Sequence, residues 1–183
     1  SLEAAAAGKF KDGETVTAGT DNYFTLYMSS KTKIDASSKT WEDGYKSEQR
    51  VNFGGKADLE NMKNLMAFKT EGTAKVKIWW VEAGDDNREV VIYNTSGQEV
   101  AKTDAKAAKN AAVYSELELT EAGTYYLGGD ISNNYFFRVK VVDTVGGSDT
   151  PVVRKDWADV AAPVIGTITQ SKADIDVPFD MVI

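Results

Sequence analysis

The stretch "AKVKIWWVEA", residues 74 to 83, gives the clearest indication of the fold, because polar and apolar side chains alternate along it until two tryptophans adjoin. Neighbouring residues of a β-strand point to opposite faces of a sheet. Lys75 and Lys77 stand at odd positions, as Trp79 does, whereas Val76 and Ile78 stand at even positions, as Trp80 does. The alternation therefore predicts a strand with Trp80 in the core and Trp79 exposed on the solvated face.

Short segments of β-type composition continue on both sides, separated by clusters of Gly, Asn, Asp and Ser. "NTSGQE" and "TEAG" are typical of hairpin turns, where glycine supplies the positive φ of a tight turn. The one segment of helical composition, "DAKAAKNAA" at residues 104 to 112, is too short for more than a turn or loop. This pattern predicts an all-β protein, an antiparallel β-sandwich with a jelly-roll-like arrangement.

The run "REVVIYN", residues 88 to 94, follows the acidic turn after the tryptophans. Its odd and even positions both carry apolar residues, so alternation alone does not show which set points into the core. The surrounding pattern favours Val90 and Ile92 as core residues, which turns Val91 and Tyr93 outward.

The composition excludes several classes of function. The chain has no Cys and no His, which removes disulfides, thiol nucleophiles, His-based triads and the usual zinc sites. Its formal net charge of -7 argues against nucleic acid and anionic membrane surfaces as partners. The sequence has no run of about 18 apolar residues, so no membrane span is predicted. A cysteine-free, β-rich chain fits an extracellular protein, secreted or attached to the surface of a Gram-positive bacterium.

The sequence divides into four parts. Residues 1–9 are predicted as a leading segment or linker, and residues 10–143 as the β-sandwich. A Gly/Ser/Pro break predicts a linker over residues 144–160. Residues 161–183 have the composition of the first strands of a second, Ig-like domain, which is typical of a piece of a longer multidomain chain.

An exposed Trp79 predicts a carbohydrate-binding platform. A pyranose ring has an apolar face that stacks on an indole, and its hydroxyls bond to Arg and Asn at the ring edge. Arg88 and Asn87, just after the turn, and the outward Tyr93 are the expected companions of Trp79. The alternative is that Trp79 caps the core edge or packs against a neighbouring domain.

Three further residues are weaker candidates for the same site. Trp41 lies in the polar stretch "SSKTWEDGYK" with Tyr45 nearby, where it either extends the platform or covers the core edge. Asn134 and Tyr135 stand at a predicted loop-to-strand junction, where Asn is first of all a turn residue. The acidic turn lacks the ligand spacing of a calcium loop, so no metal or other cofactor is expected, although a structural calcium remains open.

Three segments together carry a resemblance to a known class of protein. They are "YKSEQRVNFGG", the stretch from "LMAFKTEG" to "NTSGQEV", and "TEAGTYYLGGDISNNYFFRVKVV". Over residues 10–143 the pattern resembles the β-sandwich carbohydrate-binding modules appended to secreted bacterial amylases and pectate lyases. The resemblance implies a non-catalytic module that holds a glycoside hydrolase or polysaccharide lyase near its substrate, with sugar at Trp79 and Arg88.

The negative charge favours a neutral glycan, because a pectin backbone is itself a polyanion. The predicted ligand is therefore a starch-type α-glucan, with β-glucan or pectin as alternatives. The predicted domain is a monomer within a larger chain. A structural or adhesion spacer in a surface protein is the competing function, and a hydrolase or lyase is the third possibility.

Overall fold

The structure is a computed structural model that describes residues 10–104, 109–143 and 152–156, the last of these through its backbone. The predicted leading segment, residues 1–9, and the predicted second domain, residues 161–183, lie outside the described residues. The interval predicted as a linker, residues 144–160, includes a strand at 152–156. This strand pairs with the last strand of the predicted sandwich. The sheet therefore continues past the boundary at residue 143 that composition indicated.

Antiparallel strands dominate the described chain. In chain order they are β1 (Thr15–Ala18), β2 (Phe24–Tyr27), β3 (Lys33–Thr40), β4 (Lys46–Asn52), β5 (Leu65–Thr70), β6 (Ala74–Glu82), β7 (Val90–Asn94), β8 (Glu99–Lys102), β9 (Ala112–Leu119), β10 (Gly123–Gly129), β11 (Asn134–Asp143) and β12 (Val152–Asp156). A front sheet has the order β1-β2-β5-β10-β7-β8. A back sheet has the order β3-β4-β11-β6-β9, with β12 beside β11. The two sheets pack against each other, which confirms the predicted all-β sandwich.

The core lies between the sheets, and β6 provides its centre. Val76, Ile78 and Trp80 are fully buried in it. Trp80 Nε1 donates to Ser115 Oγ at 3.0 Å, so the one polar atom of the buried indole has a partner. The prediction that Trp80 points into the core is confirmed. In the described part of the chain, no helix is long and apolar enough to cross a membrane.

The outer face of the front sheet is partly covered by the segment between β4 and β5. Val90 and Ile92 point into the core, as predicted. Val91 points outward but is only 1% exposed. Gly128 pairs with Val91, and a Cβ at Gly128 would lie 2.8 Å from the Cβ of Ala57. The chain around Ala57 therefore lies directly on this end of the front sheet.

A β-bulge in β11 changes which side chains face outward. The register of β11 against β6 shifts between Phe136 and Arg138, so Phe137 is an extra residue in the strand. Phe136 packs in the main core, whereas Phe137 packs on the other side of the back sheet. Because of the extra residue, Arg138 pairs with Trp79 and shares its outer face.

Candidate functional site

Trp79 lies on the outer face of the back sheet, as its parity predicts, but its side chain is not exposed. It is only 6% accessible. The rings of Tyr45 and Tyr114 lie 5.7 Å and 5.0 Å from its own, centroid to centroid, and the Arg138 guanidinium lies 5.0 Å from the indole centroid. Its Nε1 donates to Asp43 Oδ2 at 2.8 Å. The prediction of an exposed Trp79 is therefore wrong, because these side chains cover the ring.

The cover comes largely from the turn between β3 and β4, which folds over the outer face of the back sheet. Trp41 Nε1 donates to the carbonyl of Val113 in β9 at 2.9 Å, although β3 and β9 form opposite edges of the order β3-β4-β11-β6-β9. The Tyr45 hydroxyl donates to the carbonyl of Phe137 at 3.3 Å. Trp41 is 4% exposed, so the idea that it extends an open platform is also wrong. The charged residues beside it face solvent while its ring turns inward.

These contacts create a layer of rings outside the main core, which we call the aromatic face. Its members are Trp41, Tyr45, Trp79, Tyr114, Tyr135 and Phe137. Tyr114 is 44% exposed and gives the layer its most accessible ring. Arg50 lies 4.0 Å over the ring of the half-buried Tyr135 and binds Asp35 through two hydrogen bonds of 2.7 Å and 3.1 Å. The predicted site residue Tyr135 therefore belongs to this face.

The sequence contains the signal for Tyr114, but the prediction missed it. In "AVYSELEL", residues 112 to 119, Tyr114 shares its parity with Glu116 and Glu118, while Leu117 and Leu119 belong to the core. The alternation that placed Trp79 outward applies equally here. Tyr114 also pairs directly with Trp79 across β9 and β6, which only the strand order reveals.

The Tyr114 hydroxyl has an unusual electrostatic environment. Burial raises the pKa of Tyr114 to about 12, with further contributions from its hydrogen bond to Glu116 and the negative charges of Glu116 and Asp43. The hydroxyl lies 3.1 Å from Glu116 Oε2. The phenol is neutral at physiological pH, so it donates to this carboxylate.

We expect this arrangement to affect stability at alkaline pH. Since the folded-state pKa lies above the ordinary value of about 10, its stabilising effect is complete below that pH and disappears as the pH rises to about 12. An NMR titration of the tyrosine ring signals should show Tyr114 ionising late, and Glu116→Gln should shift its titration to lower pH. An unchanged Tyr114 titration in that variant would contradict the contact.

A groove runs along the same outer face, next to Tyr114. It has a volume of about 520 Å³ and is lined by Lys75 and Lys77 from β6, Glu116 and Glu118 from β9, and Val142 from β11. The hydrogen bond from Tyr114 to Glu116 makes the exposed ring and the groove adjacent. None of its described lining residues is aromatic, so Tyr114 adjoins the groove through the shared Glu116.

Charges in this groove are matched. Lys75 Nζ lies 3.0 Å from Glu116 and 3.7 Å from Glu118, and Lys77 Nζ lies 3.4 Å from Glu116. A hydrogen bond from Lys75 is the main reason that the pKa of Glu116 is lowered. Two ammonium groups therefore face two carboxylates, and the groove walls carry no excess of either sign.

Arg88 is not part of the aromatic face. It follows the β6–β7 turn, where its main-chain N–H donates to Glu82 Oε1 at 2.9 Å. Its guanidinium donates to Asp86 Oδ1 at 2.6 Å and to two oxygens of Asn133 at 2.9 Å. The expected pairing of Arg88 with Trp79 is wrong: Arg88 ties together two loops at one end of the sandwich. Asn87 lies in the same turn with φ of 54°, a backbone conformation that Asn tolerates.

The other predicted residues also lie apart from one another. Asn134 is 1% exposed, and its Nδ2 donates to the carbonyl of Glu89 at 3.0 Å, so it fixes the start of β7 from within. Tyr93 lies on the outer face of the front sheet, where it pairs with Tyr126. Burial raises the pKa of Tyr93. Of the seven predicted residues, the structure therefore brings together Trp41, Trp79 and Tyr135.

Among the described residues, no three side chains of the types His, Cys, Asp or Glu group in a way that would hold a metal ion. Comparison with known proteins gives no assignment for the chain. No family model matches it, and no curated protein is significantly similar to it.

Proposed function

We propose that this domain is a non-catalytic carbohydrate-binding module whose ligand stacks on Tyr114 and lies along the adjacent groove. The observation that carries the proposal is the position of Tyr114. Its ring is 44% exposed on the outer face of a sheet, rests against the buried Trp79, and adjoins a groove of about 520 Å³. A sandwich needs no aromatic ring there for its core.

The chemistry of this surface suits a sugar chain. The apolar face of a pyranose stacks on a ring that neighbouring residues hold in place. Tyr114 has such support from Trp79 and from its hydrogen bond to Glu116. Sugar hydroxyls both donate and accept hydrogen bonds, so they can interact with the carboxylates and the ammonium groups of the groove.

The matched charges favour a neutral ligand. A polyanion would gain little from lysines that already face Glu116 and Glu118, and the chain as a whole carries a charge of -7. The proposed glycan is therefore a starch-type α-glucan, with β-glucan and pectin as the alternatives to test. The proposed setting is a secreted or surface-attached polysaccharide-degrading enzyme.

The protonation state of Glu116 supports a role in binding and not in catalysis. A carboxylic acid that protonates a glycosidic oxygen needs a raised pKa. The pKa of Glu116 is instead lowered, chiefly by Lys75. A carboxylate that is ionised at neutral pH can accept hydrogen bonds from a sugar, but it is a poor general acid.

The test compares Tyr114→Ala with Tyr93→Ala, since Tyr93 is a partly buried tyrosine on the other sheet. Affinity gels with amylose, β-glucan and pectin should show retention of the parent protein by one glycan, with Kd on the order of 10 µM to 1 mM. We expect Tyr114→Ala to weaken binding about tenfold or more, because the stacking area is lost. Tyr93→Ala should bind normally, and EDTA should change nothing.

Equal retention of both variants would overturn the assignment of the site. The burial of Trp41 and Trp79 supports a second candidate, a structural or adhesion spacer, because their contacts are complete without any ligand. If no glycan in the panel retains the parent protein, the spacer becomes the better account.

A further inference from the structure

A polar pocket at the loop end of the sandwich lies apart from the aromatic face and its groove. It has a volume of about 240 Å³ and is formed by the β2–β3 turn, both ends of the β4–β5 segment and Asp12. Pockets for drug-sized ligands occupy about 300–1,000 Å³, so this one suits a ligand the size of a single sugar ring. Its wall includes three lysines: Lys31, Lys56 and Lys63.

Only Lys63 forms ion pairs with the described carboxylates of this wall, although the charge of Lys56 also helps to lower the pKa of Asp58. Lys63 Nζ lies 3.4 Å from Asp12 and 3.8 Å from Asp58. Both carboxylates also accept main-chain hydrogen bonds, from Ser30 and Asn61, which are the main reason that their pKa values are lowered. Within the described ranges, Lys31 and Lys56 form no ion pair. Two exposed ammonium groups therefore line a pocket whose carboxylates already have partners.

The backbone of the pocket adds donors. Gly54 has φ of 81° and approaches the backbone of Lys31 so closely that a Cβ there would lie 2.7 Å from its carbonyl oxygen. The next two main-chain N–H groups, those of Gly55 and Lys56, donate to no described residue. Successive unpaired N–H groups next to ammonium groups favour an anion.

The wall also contains an acceptor that lacks a donor. Asn64 is 92% buried, as its 8% exposure shows, and its Oδ1 receives no hydrogen bond from the described residues. The carboxamide lies against Gly55, where a Cβ would be 2.8 Å from Nδ2. A buried acceptor without a donor is costly, by about 1–3 kcal/mol. Oδ1 has almost no accessible surface, so a ligand hydroxyl supplies the donor only after the carboxamide has turned toward the pocket.

We propose that this pocket binds a sugar acid, a ring-sized ligand that carries both a carboxylate and hydroxyl groups. The carboxylate lies between the two ammonium groups and the N–H groups of Gly55 and Lys56. When the Asn64 carboxamide turns toward the pocket, a hydroxyl of the same ligand donates to its Oδ1. This site is independent of the proposed glycan surface on the back sheet, whose walls are neutral.

The experiment follows the amide signals of Lys31, Gly54 and Gly55 by NMR during titration of the full chain with D-galacturonate. D-galactose, which lacks the carboxylate, and acetate, which lacks the hydroxyls, are the matched ligands. We expect D-galacturonate to bind with Kd on the order of 1 mM, about tenfold tighter than either of them. Equal affinity for galactose, equal affinity for acetate, or no shifts at all would each overturn the proposal.

Matched variants locate the effect. Lys31→Gln combined with Lys56→Gln should weaken galacturonate binding about tenfold or more. Lys46→Gln combined with Lys69→Gln makes the same charge change away from the pocket and should leave binding unaltered. Asn64→Gly suits the φ of 60° at this position and should reduce galacturonate to the affinity of acetate. If the two double variants lose binding equally, the effect is one of net charge and the proposal fails.

Discussion

Trp80→Ala is expected to lower the free energy of unfolding by about 3–5 kcal/mol. Trp80 is fully buried in the core between the sheets, and its truncation leaves a cavity that the surrounding strands can fill only in part. It also leaves Ser115 Oγ without the indole N–H. Denaturant unfolding monitored by circular dichroism measures the change.

The control for this variant is Trp80→Phe, which keeps an aromatic ring but removes the hydrogen bond to Ser115. We expect it to cost less than Trp80→Ala. If Trp80→Ala were as stable as the parent, Trp80 would not point into the core. Trp79 would then have to fill the core instead.

Trp79→Ala is expected to destabilise the domain by about 2–4 kcal/mol. The sequence pattern predicted little effect, because it placed the ring in solvent. The structure buries Trp79 beneath Tyr45, Tyr114 and Arg138, and Asp43 accepts its N–H. The loss should be smaller than for Trp80, since the covering hairpin can settle into part of the space. Unfolding curves for the two variants test the order.

Trp79→Ala should also weaken glycan binding, because Tyr114 loses the ring against which it rests. Trp79→Phe keeps that support and loses only the hydrogen bond to Asp43, which should lower the free energy of unfolding by about 1 kcal/mol. It should therefore retain binding. Unchanged stability of Trp79→Ala would mean that the hairpin does not cover this ring in solution.

The sequence alone was sufficient to predict the face of the sheet to which each side chain of β6 points. Period-two alternation is a local property, and it correctly separated Trp79 from Trp80. Alternation did not reveal how exposed the outward side chain of Trp79 would be. Whether an outward residue meets water depends on what folds over it, and Trp41 comes from a hairpin that starts at the opposite edge of the sheet.

The predicted partnership of Trp79 with Arg88 failed for a related reason. They lie nine positions apart in the chain, but Arg88 turns toward the loops at the end of the sandwich and binds Asn133. Arg138, the guanidinium that does meet Trp79, is brought there by strand pairing and the bulge at Phe137. Neither pairing nor the bulge is a feature of local composition.

The folded hairpin also bears on the order of events during folding. The hydrogen bond from Trp41 to Val113 joins residues 72 positions apart, and the bond from Tyr45 to Phe137 spans 92. Contacts this distant close large loops, which is slow and entropically unfavourable until the intervening strands are in place. We therefore expect the hairpin to dock late, after β6, β9 and β11 have assembled. The strands that carry Tyr114 and the groove are then in place before the turn that covers Trp79.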